Sequence, residues 1–401
     1  MLDRAWIYAA LALNVTAIAN GNELLALCSV LALLLSLWAY VMRRFGLSGV
    51  LYQRRLGATQ AEFGDTIELT VELTNRKLLP LAALAVEDPL PRFLPVEGGV
   101  VRPGLLELPE LCIVRAMRPY ERVRRQLRVR CMRRGRHRFG PARWEATDYL
   151  GTRSLHRTGD DVHSLLVLPK TLPLTLAGAV ARQLLGDGRA PRALFDDPLR
   201  VVGTRVYQPG DPPRSIDWRA SARRDALMVR RCEPSATPSL ELALDFHVAM
   251  PRGDRVEPDE LEHAISVAAS LARHAATHRW RFGLSANGLA EGARVALPAS
   301  SAPAQLRLLL ELLARAGSRP DGRLADLLRA RGAQAGAHGM LVVITQALDD
   351  ALRAVLLDLH RRGRSVAVVL TADGPPQPSP FPVLRAAYDT TWSERDRLVV
   401  T

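Results

Sequence analysis

A run of nineteen uncharged residues, residues 24–42, most limits what this chain can fold into. As a helix that rises about 1.5 Å per residue, the run would cover nearly all of the ~30 Å hydrocarbon core of a bilayer. Trp38 and Tyr40 stand near its end, and Arg43 and Arg44 follow it directly. Interfacial aromatic rings followed by basic residues are typical of the end of a transmembrane helix.

A shorter apolar run over residues 6–19 precedes the first one, and the polar residues 20–23 separate the two. Together they predict a transmembrane helical hairpin over residues 1–45, in contact with the membrane through residues 5–42. Because arginine collects outside both ends of the hairpin, the positive-inside rule predicts that both ends face the cytoplasm. A cleaved signal peptide is the alternative.

Composition limits the rest of the chain. A length of 401 residues favours two or three domains. The net charge of +13 is almost wholly arginine, since the only lysines are Lys77 and Lys170. We interpret the arginines between residues 115 and 138 as a solvated sheet face rather than a nucleic-acid surface, because they alternate with apolar residues and lack interleaved aromatic rings.

The four cysteines are isolated in the sequence, which indicates neither a disulfide framework nor a zinc site.

Alternating polar and apolar residues follow the apolar runs. The pattern over residues 66–73 is that of a half-buried strand, and residues 81–86, 110–117 and 122–131 are further candidates. Proline and glycine separate these segments. Short strands with such breaks predict a small antiparallel β-sandwich over residues 46–170.

Strands and helices alternate from residue 239 onward. Apolar segments, above all residues 340–345, are typical of strands in a buried parallel sheet. The order predicts a doubly wound α/β sheet with helices on both faces. The predicted strands cover residues 240–246, 281–286, 295–297, 340–345, 365–371 and 397–400, and the predicted helices cover residues 258–278, 304–316, 324–331 and 349–362.

The stretch over residues 207–224 combines backbone breakers with charged side chains around one large apolar ring. Its prolines forbid a continuous helix or central strand, whereas Ile216 and Trp218 have little use in a disordered linker. The pattern predicts an ordered segment held by ion pairs. Trp218 is expected to anchor it in the core, with a partner-binding hot spot as the alternative. The charged residues are Asp211, Arg214, Asp217, Arg219, Arg223 and Arg224.

Residues at fixed spacing in and after this stretch carry a resemblance to a known family: Tyr207, Gly210, Asp211, Arg214, Ile216, Asp217, Trp218, Ala220, Ser221, Ala222, Arg223, Leu227, Val229 and Arg230. They look like the hallmark of the domain of unknown function 58 family. Members of that family are typically bacterial membrane-anchored proteins, resemble von Willebrand factor A domains and are often encoded beside MoxR-type AAA+ ATPases. The resemblance implies that residues 171–238 are a family-motif segment.

The predicted fold class is therefore multi-domain. It comprises an N-terminal transmembrane helical hairpin, a small antiparallel β-sandwich, the family-motif segment, and an α/β doubly wound, von Willebrand A-like domain over residues 239–401. The expected location is a bacterial inner membrane, crossed twice, with the soluble domains facing the cytoplasm.

Von Willebrand A domains hold a metal ion at the carboxyl ends of their strands, through Asp-x-Ser-x-Ser and a later Asp. By resemblance, Asp245 stands at the first position, but His247 and Ala249 replace the two serines, and Gln346 replaces the later Asp. Hard cations such as Mg²⁺ need oxygen ligands, so this site is degenerate, and we expect no bound metal and no cofactor. A transition-metal site built on Asp245 and His247 is the alternative.

The sequence contains no nucleophile elbow, phosphate-binding loop or dinucleotide fingerprint. We expect a non-enzymatic, membrane-anchored adaptor that works with a MoxR-type AAA+ ATPase in assembling or activating envelope proteins, without nucleic acid. One alternative is an enzyme that uses Asp211 and Asp217 on a phosphate or glycan; a second is nucleic-acid binding through the arginine-rich strands. The residues expected to form a partner-binding surface or a structural latch are Tyr207, Gly210, Asp211, Arg214, Asp217, Trp218 and Arg223.

Overall fold

The computed structural model of the chain divides into two compact units, Met1–Val167 and Leu168–Thr401. The structure describes residues 2–21, 23–104, 108–147, 154–176, 196–207, 216–224, 226–234, 239–247, 259–332, 339–372 and 378–401. The four-part division into residues 1–45, 46–170, 171–238 and 239–401 stays a prediction.

Seven helices lie within the described residues, and the other regular elements there are strands. The helices are α1 (Leu2–Ala19), α2 (Glu23–Phe45), α3 (Trp218–Arg224), α4 (Asp259–Thr277), α5 (Gln305–Arg315), α6 (Leu324–Gly332) and α7 (Asp350–Arg361).

Helices α1 and α2 pair with each other, and the Asn14 amide donates a hydrogen bond to the Ser29 hydroxyl at 2.8 Å. Among the described residues, however, no helix is long and apolar enough to cross a membrane. The 18 residues of α1 would rise only about 27 Å and include a charged pair near the start, and α2 carries charges at both ends. The prediction of a transmembrane hairpin is therefore wrong. The predicted fold class, which included that hairpin, and the predicted two-span inner-membrane location are wrong for the same reason.

Two antiparallel sheets and one small mixed sheet, in which β2 pairs with β12 in parallel, form the rest of the first unit. A four-stranded sheet has the order β1-β3-β8-β5, a five-stranded sheet the order β11-β10-β4-β7-β6, and a smaller sheet the order β2-β12-β9. The strands are β1 (Val50–Leu56), β2 (Gln60–Ala61), β3 (Thr66–Asn75), β4 (Leu81–Pro89), β5 (Val96–Glu97), β6 (Val100–Pro103), β7 (Pro109–Met117), β8 (Arg122–Arg130), β9 (Gly135–Phe139), β10 (Arg143–Thr147), β11 (Ser154–Thr158) and β12 (His163–Val167).

Alternation along the strands builds the core of this unit. Leu69 and Val71 on β3 and Leu127 on β8 are buried, and they share one apolar cluster with Leu84 and Val86 on β4 of the five-stranded sheet. The predicted strands over residues 66–73, 81–86, 110–117 and 122–131 are confirmed, with small differences at their ends.

A seven-stranded, mostly parallel sheet organises the second unit. Its order is β18-β17-β16-β20-β21-β22, with β19 also paired to β17. Strand β18 and strand β19 are antiparallel to β17, whereas the pairs from β17 to β22 are parallel. The strands of this unit are β13 (Leu174–Leu176), β14 (Asp196–Val206), β15 (Met228–Pro234), β16 (Ser239–Leu244), β17 (Arg281–Ala290), β18 (Ala293–Ser300), β19 (Ala316–Pro320), β20 (Met340–Thr345), β21 (Ser365–Leu370), β22 (Val383–Arg385) and β23 (Leu398–Val400).

Strand β20 shows why the central strands are apolar throughout. Every residue of β20 is buried. Val342 and Ile344 face the cluster that includes helix α4, whereas Leu341 and Val343 face the cluster that includes α6 and α7. Because successive side chains point to opposite faces of a sheet, a strand covered on both sides needs apolar residues at every position.

Most elements predicted between residues 239 and 401 are present with ends that differ by one to four residues. Two strands were not predicted: β19, which continues the chain directly after α5, and β22, which lies in the proline-rich stretch before the last strand. Between β16 and β17 the chain passes through α4 to one side, and later it returns to β20 on the other side of β16. The carboxyl ends of β16 and β20 therefore form a topological switch point, where ligands bind in many open α/β sheets.

Candidate functional site

The motif residues described by the structure lie at a two-stranded hairpin in the second unit. Strands β14 and β15 pair antiparallel, with Val206 opposite Met228. The Tyr207 amide donates to the Leu227 carbonyl at 2.8 Å, which continues the pairing past the strand ends. On the other side of β15, Ile216 forms an isolated bridge with Val229. The backbone thus brings both ends of the motif to the same strand.

Asp217 begins helix α3. Its carboxylate Oδ1 accepts hydrogen bonds from the Arg219 amide at 3.1 Å and from the Ala220 amide at 3.0 Å. These amides have no partner within the helix, so an aspartate at the N-cap position stabilises the first turn. The Asp217 amide in turn donates to the Met228 carbonyl at 2.8 Å. This aspartate fixes where the helix starts and how it meets β15.

Ser221 holds the other side of the same helix. Its hydroxyl donates to the Asp217 carbonyl at 2.7 Å and accepts from the Met228 amide at 2.8 Å. The hydroxyl thus acts as both donor and acceptor. Met228, whose backbone it binds, is buried. Helix α3 is therefore fastened to β15 by polar contacts rather than by its largest side chain.

That largest side chain, Trp218, points into solvent with 68% of its surface exposed. The prediction that Trp218 anchors the segment in a core is wrong. Arg219, Ala222 and Arg223 are also exposed, whereas Ser221 is half-buried. Positions i, i+1, i+4 and i+5 lie on one side of an α-helix, so these exposed residues form a single surface. We refer to Trp218, Arg219, Ala222 and Arg223 as the Trp218 face.

Three other residues of the predicted surface, Gly210, Asp211 and Arg214, lie outside the described residues. Tyr207 is half-buried at the end of the hairpin. The structure therefore brings Tyr207, Asp217, Trp218 and Arg223 to one end of β15. Their role as a latch or as a partner-binding surface stays a prediction.

A second polar cluster lies at the carboxyl edge of the seven-stranded sheet. Asp245 follows β16 directly, and its Oδ1 accepts from the Asn287 amide group and from the His247 backbone amide, each at 2.9 Å. Its Oδ2 accepts from the Thr345 hydroxyl at 3.0 Å. Asn287 lies in β17, just past its last residue paired with β16, and Thr345 ends β20, so one carboxylate joins three neighbouring parallel strands.

Asn287 uses its whole amide group in this cluster. Its Oδ1 accepts from the Phe246 amide at 2.7 Å, and its Nδ2 donates both to Asp245 and to the Gly322 carbonyl at 3.1 Å. The next residue, Gly288, lacks a side chain for a steric reason, since a Cβ there would lie 2.8 Å from the Phe246 ring. Asn287 is only 2% exposed, and Thr345 only 1%. We call Asp245, Asn287 and Thr345 the strand-end cluster.

The side chains at the other described positions of the predicted metal site have different surroundings. Gln346 donates to the Glu260 carboxylate at 2.9 Å, and the side chain of His247 is exposed. Ala249 lies outside the described residues. Within the described part of the chain, no group of three or more His, Cys, Asp or Glu residues is placed to hold a metal ion. The donors on Asp245 are N–H and O–H groups, so both carboxylate oxygens already serve the protein itself.

His263 is the most enclosed titratable group on this side of the unit. It is buried on α4, and one of its ring nitrogens, Nε2, lies 2.9 Å from the Ala386 carbonyl. The rings of Tyr388 and Trp392 meet it edge-on at 5.8 and 5.7 Å. Burial lowers the pKa of His263 below its ordinary value, because the charged imidazolium loses its hydration. The contacts describe a packed structural histidine.

The arginine-rich strand β8 is partly neutralised by neighbouring acids. Arg122 forms an ion pair with Glu72 at 2.7 Å, and Arg130 lies 3.9 Å from Glu97. On β3, Glu68 and Glu72 stand opposite Arg128 and Arg124 in the sheet register. Cross-strand pairs of opposite charge are ordinary stabilising contacts of an exposed sheet face.

Asn287 and Thr345 were missed by the sequence analysis. They are 42 and 100 residues from Asp245, so no local spacing connects them. The one local signal was a polar residue within the apolar strand around residue 287, at a depth where a polar side chain needs a partner.

Comparison with known proteins adds a family match over one region. Residues 203–374 match the family described as "Protein of unknown function DUF58". That range includes both the Trp218 face and the strand-end cluster. The resemblance seen in the motif residues is thus confirmed at the level of this family.

A curated relative matches part of the chain. It is the "Uncharacterized protein YeaD" of Bacillus subtilis (strain 168), 28% identical over 242 residues. The match covers 59% of this chain and 55% of the relative, so the chain spans about half the length of the curated relative it matches.

Solved structures give only weak likeness. A non-cellulosomal cohesin from Archaeoglobus fulgidus has a TM-score of 0.21 at 13% identity, over 29% of this chain and 91% of that chain. A cohesin module from a Clostridium perfringens ATCC13124 family 33 glycoside hydrolase has a TM-score of 0.20 at 6% identity, over 29% of this chain and 96% of that chain. Scores this low support no argument about fold or function.

Proposed function

We propose that this chain is a non-enzymatic interaction protein that works with a MoxR-type AAA+ ATPase in the assembly or activation of envelope proteins. The ATPase and the envelope role come from the family resemblance of the motif. The order of strands in the seven-stranded sheet supports the comparison with von Willebrand factor A domains that the same resemblance implies.

One observation carries the proposal: the motif turns its tryptophan outward. A mostly exposed indole contributes little to a core, yet tryptophan is among the residues that dominate binding energy at protein interfaces. Helix α3 is held by Asp217 and Ser221, which leaves Trp218 free of a structural task. A large apolar ring presented on a fixed backbone suits recognition of a partner at low entropic cost.

The enzyme alternative relied on Asp211, which lies outside the described residues, and on Asp217, whose contacts argue against it, as do those of Asp245. The Asp217 carboxylate caps a helix, and the Asp245 carboxylate accepts from three protein donors. A general base needs an oxygen within reach of a substrate proton. Oxygens that are already committed to backbone and side-chain donors are poorly suited to that task.

The proposal is tested by direct binding between purified proteins. We expect the MoxR-type ATPase encoded in the same genome to bind the full chain in isothermal titration calorimetry, with and without ATP. Trp218→Ala is expected to raise the dissociation constant at least ~30-fold, the equivalent of about 2 kcal/mol for a hot-spot residue. Leu308→Ala is the matched control, because Leu308 is another large apolar side chain that is half-exposed on a helix of the same unit. Absence of binding by the folded wild-type chain would refute the ATPase as its partner.

A further inference from the structure

We propose that the Trp218 face recognises an acidic segment of its partner, in which an apolar side chain is flanked by carboxylates. This inference rests on the proposed function, because it names the chemistry that the same surface would bind.

The charges on helix α3 are all of one sign. Its seven residues include Arg219, Arg223 and Arg224 and no acid. All three arginines are exposed, and within the described residues none of them forms an ion pair. Exposed guanidinium groups without an ion pair among the described residues are matched by carboxylates, which can accept two parallel hydrogen bonds from one arginine.

The spacing on the helix places these charges beside the ring. Arg219 follows Trp218 directly, and Arg223 lies one turn beyond Arg219 on the same side. Ala222 lies one turn from Trp218 and is too small to cover the indole. The face therefore offers one apolar platform with two cations along one edge. An apolar residue between two carboxylates fits this arrangement, because the ring buries the apolar group while both acids meet guanidinium groups.

The patch extends beyond the helix. Leu227, whose carbonyl accepts from Tyr207, is 46% exposed, and Val206 is 62% exposed. Both lie at the end of the β14–β15 hairpin to which α3 is fastened. Apolar residues grouped near an aromatic hot spot are typical of a protein-binding patch, in which surrounding contacts exclude water from the centre.

A single-stranded nucleic acid is a poorer fit to the same surface. Such ligands stack successive bases on several aromatic rings along a basic groove, whereas the Trp218 face has one ring. The single ring therefore favours an acidic peptide segment over a single-stranded nucleic acid.

The test uses a fluorescein-labelled peptide of alternating glutamate and leucine, and a matched peptide with glutamine in place of glutamate. Fluorescence anisotropy with the full chain is expected to show binding of the glutamate peptide at least ~10-fold tighter than that of the glutamine peptide. Trp218→Ala and the double variant Arg219→Glu/Arg223→Glu should each weaken binding at least ~10-fold. Arg219→Lys/Arg223→Lys should keep part of the affinity, because charge remains while bidentate geometry is lost.

The matched control is Arg319→Glu/Arg323→Glu, which makes the same change in net charge at two exposed arginines next to α6. It should leave peptide binding within twofold of wild type. Equal losses in the two double variants would show that only net charge matters and would overturn the proposal. Equal affinity for the two peptides would overturn it as well, and tighter binding of a fluorescein-labelled thymidine oligonucleotide would assign the face to nucleic acid instead.

The ATPase titration separates this inference from the proposed function. If Trp218→Ala loses the ATPase while Arg219→Glu/Arg223→Glu keeps it, the surface is a binding site and the acidic-segment inference is wrong. If the glutamate peptide binds with the expected arginine dependence but the ATPase does not, the acidic-segment inference stands and the ATPase partnership fails. Circular dichroism of each variant establishes that losses do not come from unfolding.

Discussion

The Trp218 face and the strand-end cluster lie in the same unit, but they use their polar groups in opposite ways. In the strand-end cluster, Asp245 turns inward, and the side chains that bind it, Asn287 and Thr345, are buried. In the Trp218 face, Asp217 and Ser221 fasten the helix from behind, while the ring and two arginines face solvent. The contrast is between an enclosed polar cluster at the switch point of the sheet and an exposed apolar and basic surface at the motif.

Tryptophans of the same unit repeat this contrast. Trp280 and Trp392 are each only 7% exposed, whereas Trp218 is 68% exposed. Burying an aromatic side chain contributes about 1.5–3 kcal/mol to stability, so an exposed tryptophan forgoes that contribution. A surface that keeps such a ring in water is explained most simply by a bound state in which the ring is covered.

The largest effect on stability is expected at the strand-end cluster. Asp245→Ala should lower the free energy of unfolding by about 2 kcal/mol, because the Asn287 amide and the His247 backbone amide lose an acceptor in a mostly buried site. Urea unfolding followed by circular dichroism measures this change. Asp358→Ala is the control, since its ion pair with Arg362 is largely exposed and should be worth less than about 0.5 kcal/mol. Equal effects of the two substitutions would remove the distinction between an enclosed cluster and an ordinary surface.

A smaller effect is expected where Asp217 caps α3. Asp217→Ala should cost about 1 kcal/mol, the usual value for loss of an N-cap side chain. Hydrogen exchange should accelerate at the amides of Arg219 and Ala220, which lose their acceptor. Asp217→Ser restores a capping oxygen and should return the exchange to near the wild-type rate. Slow exchange in the alanine variant would mean that Ser221 alone holds the helix.

A third effect depends on pH and concerns the packed His263. The pKa of His263 is near 6.5 in the unfolded chain and lower in the folded chain. Below about pH 6.5, the unfolded chain therefore binds more protons at this residue than the folded chain does. Its contribution to stability is therefore complete above about pH 6.5 and is lost as pH falls through the folded pKa, by at most ~1.4 kcal/mol per pH unit. In His263→Gln, the free energy of unfolding obtained from urea titrations should depend less on pH between pH 5 and 7. An unchanged pH dependence of the free energy of unfolding would show that other groups are responsible for it.

Local pattern predicted much of this fold. The apolar run at residues 340–345 and the alternation at residues 66–73 each predicted a strand, because burial on two faces or on one face leaves a clear mark in the sequence. The transmembrane prediction was wrong although it rested on similar reasoning. It weighed the uncharged run at residues 24–42 more heavily than the charges at the ends of α2 and the shortness of α1.

The two sites could be predicted only in part. Asp217, Trp218 and Arg223 were singled out by their pattern, but the outward direction of Trp218 depends on how α3 is fastened to β15. Hydrophobicity alone predicts a buried ring. Asn287 and Thr345 escaped notice because their contacts with Asp245 join strands that are distant in the chain.

Binding and stability measured together on one pair of variants test the central claim most directly. Trp218→Ala should weaken binding of the MoxR-type ATPase at least ~30-fold while the free energy of unfolding stays within about 0.5 kcal/mol of wild type. Thr345→Val removes the hydroxyl that donates to Asp245; it should lower the free energy of unfolding by about 1 kcal/mol and leave the ATPase dissociation constant within twofold. The reverse pattern, with binding lost in Thr345→Val and retained in Trp218→Ala, would contradict the account.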